Sequence, residues 1–196
     1  MRKRKQVLVI SGPTASGEST FTHEFVEGYE NFAKLISATT REPRLNEEHG
    51  VHYYFMDRDT FFEEVHAGNI IEHTYVQNRD AYYGTYKPDL DEKLAKGLNV
   101  IANTDPKGAK FFKEHYGATT IFLKPKSLEV IEDRLRRRDP SITNEEVQKR
   151  LVQAEREIRD AEHQFDYVVW NTDGEFDKTV FDVIQILRKE GYHIPE

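Results

Sequence analysis

The sequence predicts an α/β protein: a parallel sheet core flanked by helices, with a mixed, partly antiparallel β lobe inserted into it and a helical lid further along. Three observations carry this. Short, continuous apolar runs recur at Val7–Ile10, Val100–Ala102, Thr119–Leu123 and Tyr167–Trp170, as in strands covered on both faces. Helical patterns separate those runs, the order expected of βαβ units. Between about Leu35 and Thr85 the texture changes to polar-aromatic alternation such as His52-Tyr53-Tyr54-Phe55, punctuated by Gly50, Gly68 and Gly84.

Val7-Leu8-Val9-Ile10 forms the first strand, and Ser11-Gly12-Pro13 ends it with loop chemistry. A helix is expected from about Ser19 to Tyr29. Ser127 to His163 is almost wholly charged and helical, broken near Asp139-Pro140-Ser141 because proline's fixed φ stops a helix. Two helices with a mobile tip are therefore expected. A single domain over 1–196 accommodates all of this, with a core of about 5–35, 86–126 and 164–196, a lobe of about 36–85 and a lid of about 127–163. The sequence shows no internal repeat and no low-complexity segment.

With 196 residues, the chain is long enough for one core with lobes. Its 37% hydrophobic and 32% charged residues exclude large-scale disorder. A net charge of −7 disfavours a dedicated nucleic-acid binder, which needs clustered positive charge. The basic run Arg2 to Lys5 reads as a solvated, frayed terminus. No run reaches the roughly 18 apolar residues of a membrane span, a signal peptide is not expected, and the absence of cysteine fits a reducing cytoplasm. None of the eight histidines has metal-ligand spacing.

Gly12-Pro13-Thr14-Ala15-Ser16-Gly17-Glu18-Ser19 lies between the first strand and the first helix. That is the setting in which a GxxxxGK[ST] phosphate loop is meaningful, and only the lysine is missing. The glycines let backbone N–H groups and the helix N-terminus face a phosphate, Thr20 continues the cradle, and Ser19 is placed for Mg²⁺. Glu18 stands where the lysine would contact the β- and γ-phosphates, and as a carboxylate it would repel them. A plain Gly-rich turn capping a helix is the competing reading of this segment.

Ser37-Ala38-Thr39-Thr40-Arg41-Glu42-Pro43-Arg44, Gly50-Val51-His52-Tyr53, Ile71-Glu72 and Tyr82-Tyr83-Gly84-Thr85 resemble, in order and spacing, the GMP-binding lobe of guanylate kinases. The resemblance covers nearly the whole chain, from the loop through Asp105-Pro106-Lys107-Gly108 to the arginine-rich lid and Tyr167-Val168-Val169-Trp170-Asn171. It implies a P-loop kinase fold and transfer of the ATP γ-phosphoryl group to GMP, with Mg²⁺ accompanying ATP. Arg41, Arg44, Tyr53 and Tyr83 would clamp the 5′-phosphate. Glu72 would accept from guanine's ring N–H and amine, with Ser37 and Thr85 reaching O6. In the lid Arg134, Arg138 and Arg150 match the family's catalytic arginines, although Arg136 or Arg137 could serve in a shifted register. Asn103 replaces a usual acid and would bind the nucleotide as an amide, leaving Asp105 and Ser19 to the metal. Lys107 and Lys110 lie close in sequence to this region, and either amine could supply the missing charge.

Two other functions fit the same residues: a binding module that has lost phosphoryl transfer through Glu18, or a kinase for another small phosphate acceptor. ATP and GMP are the expected partners, with no nucleic acid or membrane, for a cytoplasmic monomer or homodimer.

Overall fold

The computed structural model describes residues 5–195, apart from the side chain of Asn78. In chain order the elements are β1 Val7–Ser11, α1 Glu18–Gly28, β2 Phe32–Lys34, β3 Ala38–Thr39, β4 Tyr54–Phe55, α2 Arg58–His66, β5 Ile70–Val76, a 3-10 turn Gln77–Arg79, and β6 Ala81–Tyr86. After these come α3 Lys87–Ala95, β7 Asn99–Asn103, α4 Pro106–Tyr116, β8 Thr119–Lys124, α5 Leu128–Arg138, α6 Asn144–Gln164, β9 Tyr167–Trp170 and α7 Phe176–Glu190.

Five strands form a parallel sheet in the order β2-β7-β1-β8-β9. Every residue of β1 is buried, as its unbroken apolar run requires. Successive side chains of a strand point to opposite faces. Accordingly Leu8 and Ile10 join Phe21, Phe25, Val183 and Leu187 of α1 and α7 on one face, while Val7 and Val9 join Leu90, Ala109 and Phe112 of α3 and α4 on the other. The N-terminal basic run is described only from Lys5. That residue is not frayed, because its amine pairs with Glu190 and bonds Thr119 Oγ1 at 3.2 Å; Arg2, Lys3 and Arg4 lie outside the described residues.

The inserted lobe is a four-stranded mixed sheet, β4-β3-β6-β5, in which β3 and β4 run parallel and the other pairs antiparallel. It also carries α2, a helix that the aromatic alternation of the segment hid. Asp57 caps it by accepting from Thr60 N at 2.8 Å, and Phe61 anchors it against Ala38 and Ile70. Buried Asp89 of α3 ties the lobe to the core. One of its oxygens accepts from Ile36 N at 2.9 Å and from Lys93 Nζ at 2.6 Å, and the other accepts from the Tyr54 hydroxyl at 3.3 Å.

In the lid, α5 packs on α6 through Ile131, Leu135, Val147, Leu151 and Ala154. The break falls where proline predicted it: α5 stops at Arg138, Asp139 accepts from Ser141 N at 3.0 Å, and Thr143 caps α6 by accepting from Glu146 N at 3.2 Å. Among the described residues no helix is long and apolar enough to cross a membrane.

Candidate active site

A cleft of about 1060 Å³ runs along the carboxyl ends of β1, β2 and β7, between the core, the lobe and the lid. Parallel sheets place ligands there because their connecting loops converge at that edge. Residues Thr14 to Thr20 line one end of the cleft. Their curl depends on two glycines. At Gly12 a Cβ would stand 2.8 Å from Leu123 O, and Gly17 has a φ of +93° with Asn171 Nδ2 only 2.5 Å from where a Cβ would be. Asn171 Nδ2 donates to Ser16 O at 2.7 Å, and Ser16 N donates to Pro13 O at 2.9 Å, so the loop is pinned open at the start of α1. The Gly-rich segment is thus a preformed cradle. Gly12 shapes it from beneath and does not itself line the cleft.

Glu18 opens α1 and accepts from Ser16 Oγ at 2.9 Å. Burial raises its pKa from 4.5 to about 8, with the negative charge of Glu157 on α6 adding to the effect against the Ser16 hydrogen bond. Burial thus opposes the charged form on which the reading of Glu18 as a repelling carboxylate rests. At neutral pH the group is a neutral acid; it supplies no positive charge, yet it adds little negative charge either.

At the other end, β5 and β6 build the opposite wall. Their register slips between Ile70 and His73, where three steps on β5 oppose two on β6. The extra residue is a bulge; beside it Glu72, Thr74 and Val76 alternate into the cleft, where Glu72 lies with Ser37 and Thr85. Glu72 Oε1 is buried and has no hydrogen-bond partner. Burial lifts Glu72 to about 7, with Asp105 adding to the rise and Lys107 opposing it. Asn103 ends β7 with Oδ1 equally buried and unpartnered, while its amide nitrogen reaches Ile10 O at 3.4 Å. Asp105 lines the cleft next to it and caps α4 through Gly108 N at 2.8 Å.

Tyr53 and Tyr83 face the cleft with ring centroids 5.8 Å apart. The Tyr83 hydroxyl accepts from Arg41 Nε at 3.2 Å, and Arg41 also grips both oxygens of Glu47 at 2.9 Å. Arg44 is exposed, and like Arg41 it stands at the rim rather than in the lining. Arg134 and Arg138 of the lid both line the cleft on one face of α5. Arg134 donates to Ala15 O at 2.9 Å and to Asp173 at 2.6 Å, so it lies across the phosphate loop. Arg150 is outside the lining, bonded to Glu146 at 2.7 Å. The alternative register also resolves: Arg136 is tied to Glu132 and Asn144 away from the cleft, whereas Arg137 lines it 3.8 Å from Asp173. Neither Lys107, which donates to His73 O, nor Lys110, which faces Glu114, joins the phosphate loop.

The guanylate kinase sequence pattern matches residues 4–190. The chain belongs to the guanylate kinase family. It is 36% identical over 193 residues to the guanylate kinase of Rickettsia bellii (strain RML369-C), covering 97% of each chain. It is 34% identical over 189 residues to that of Prochlorococcus marinus subsp. pastoris, covering 96% of this chain and all of the other. Among solved structures, the guanylate kinase from Anaplasma phagocytophilum superposes with a TM-score of 0.73 at 31% identity, covering 97% of this chain and 88% of that one. Membership in the guanylate kinase family gives Glu18 its meaning, since it sits in an otherwise preserved phosphate loop.

Sequence reasoning missed two cleft residues, Asn171 and Arg79, and one acid outside the lining, Glu157. Asn171, which holds the loop, was legible only as the end of a strand. Glu157, which biases Glu18, is one acid among many on a charged helix. Arg79 lies in the 3-10 turn between β5 and β6 and lines the cleft, with no motif to announce it.

Proposed function

We propose that the chain transfers the γ-phosphoryl group of ATP to GMP, giving GDP and ADP, with a donor loop weakened by Glu18. One observation carries the acceptor: a buried carboxylate oxygen of Glu72 with no partner, aimed into the cleft beside two hydroxyls. An unpaired buried acceptor is costly, and guanine offers the matching pair of donors, its ring N–H and exocyclic amine. Adenine has no such edge.

In this reading Arg41, Arg44, Tyr53 and Tyr83 hold the 5′-phosphate, Ser37 and Thr85 donate to O6, and Asn103 bonds the nucleotide. The loop residues Gly12, Thr14, Ala15, Ser16, Gly17, Ser19 and Thr20 cradle the donor phosphates. Arg134, Arg138 and Arg150 move over the transferred group as the lid closes and excludes water, which requires Arg134 to leave Asp173 and Arg150 to leave Glu146. Ser19 and Asp105 supply oxygen ligands suited to Mg²⁺, a hard ion that keeps waters and phosphate oxygens in its shell. Bound with ATP, Mg²⁺ supplies neutralisation of phosphate charge. The same reading places the protein in the cytoplasm as a monomer or homodimer, with no nucleic-acid or membrane partner. A second reading, a binding module without transfer, is favoured by Glu18 alone.

The test is ADP release with ATP, Mg²⁺ and GMP, run beside calorimetric titration of GMP. GMP-dependent turnover is expected. GMP binding without turnover would convert the protein to the binding-module reading, and preference for AMP or UMP would overturn the base assignment.

Glu18 makes the donor site pH-sensitive. A folded-state pKa near 8 means that the proton stays on between pH 4.5 and about 8, where a free carboxyl would lose it. Donor phosphates tolerate the neutral acid and oppose its ionisation. ATP affinity should therefore hold from pH 6.5 to 7.5 and fall up to about tenfold per unit above pH 8. Glu18→Gln should flatten that profile; an equal fall in the variant, followed calorimetrically, would place the titrating group elsewhere.

A further inference from the structure

Arg79 is a cation without an anion. Its Nη1 donates to the Tyr83 hydroxyl at 3.3 Å, and its guanidinium carbon lies 5.5 Å from the centre of the Tyr83 ring. The same hydroxyl takes Arg41 Nε, so two arginines meet on one phenol oxygen at the edge of the cleft. Most of its neighbours are already paired: Arg41 with Glu47, Arg58 with Asp80, Arg134 with Asp173 and Arg150 with Glu146. Among the described residues, Arg79 has no carboxylate within ion-pair distance, and neither do Arg44 and Arg138.

Arg79 and Arg138 both line the cleft, one from the lobe and one from the lid. The charges of Arg150, Arg79 and Arg44, together with the larger effect of burial, hold the Arg138 guanidinium below its usual pKa. Burial pushes the Tyr83 phenol up, but hydrogen bonds and charge from Arg79 and Arg41 outweigh it, so the hydroxyl ends below its ordinary value. Arg41 and Arg79 meet on the Tyr83 phenol, and only Arg41 has a carboxylate, Glu47, to offset its charge, which leaves the Arg79 guanidinium to an incoming anion. The anion that fits is a phosphate group, which can take the fork of a guanidinium on two oxygens.

We infer that Arg79 is a ligand of the acceptor's 5′-phosphate, reaching it from the β5–β6 turn while Arg41 and Arg44 reach it from the β3–β4 segment. The inference rests on the GMP reading above and deepens it, assigning to the acceptor clamp a cation that the sequence motifs did not include.

The experiment compares calorimetric binding of GMP and of guanosine, which lacks the phosphate, to the full chain and to Arg79→Ala and Arg79→Lys. Arg79 is exposed on a turn, so both variants should fold. The expected result is a 10- to 100-fold loss of GMP affinity in Arg79→Ala, a smaller loss in Arg79→Lys, and unchanged guanosine affinity. Equal GMP affinity in the unmodified chain and Arg79→Ala would overturn the role of Arg79 and leave the GMP reading standing. Equal losses for GMP and guanosine would make Arg79 a support of the lobe rather than a phosphate ligand. Failure of the unmodified chain to bind either molecule would overturn both readings.

Discussion

Glu18→Lys is expected to raise GMP-dependent turnover about a thousandfold. The neutral acid at this position leaves developing phosphate charge without a partner from the loop. An ammonium about 4 Å from a phosphate oxygen, at an effective dielectric near 20, contributes about 4 kcal/mol. If that attraction is realised only in the transition state, it amounts to about three powers of ten in rate. Burial, the main cause of the raised Glu18 pKa, would also penalise the ammonium until phosphates arrive, while the acid Glu157 would favour it. The split between kcat and KM for ATP, measured by coupled ADP release, is the check. A gain confined to KM would mean that the lysine only binds the donor. No gain would mean that another cation already does the work.

Glu72→Gln is expected to weaken GMP binding by 10³- to 10⁴-fold and to abolish discrimination against AMP. The amide would turn an NH₂ group toward guanine's donors or, flipped, offer one neutral oxygen to two of them. A site built to pair a polar edge loses this much when the partner is removed. The wild-type interaction also has a pH signature. Glu72 titrates near 7 in the empty cleft, and only its ionised form accepts from both guanine donors. Affinity should therefore increase as pH rises from 6 to 8. Guanosine isolates this effect, since the 5′-phosphate of GMP itself titrates near pH 6. A flat guanosine profile in the wild type would show that Glu72 does not contact the base.

Four of the five core strands were legible in the sequence as short apolar runs, whereas β2, a three-residue edge strand ending in Lys34 and only partly buried, gave no such run. Glu72, Ser37 and Thr85 were legible because linked motifs placed them, and Glu72 faces inward at the strand alternation it shares with Thr74 and Val76. The protonation of Glu18 was not legible. It depends on burial and on Glu157, which the fold brings across from a helix far along the chain. Helix α2 was hidden because Phe61, Phe62 and Val65 continue the aromatic texture of the strands around them, and its cap is a single aspartate. Arg79 was invisible for a related reason: a lone arginine in a turn carries no period.

The chain crosses between core and lobe at two places, just before Ser37 and just after Thr85; Asp89 stands just past the second crossing and its carboxylate holds Ile36 N at the first and the Tyr54 hydroxyl of the lobe. That carboxylate can act as the pivot of a lever. Ser37 and Thr85 sit at its short arm and would scarcely move as the lobe swings, whereas Arg44 and Arg79 ride the long arm and sweep furthest. On the proposed GMP reading, such a swing would let the base be judged while the lobe is open and the phosphate be gripped once the swing is complete. A nucleotide with the wrong base would leave before the arginines reach it.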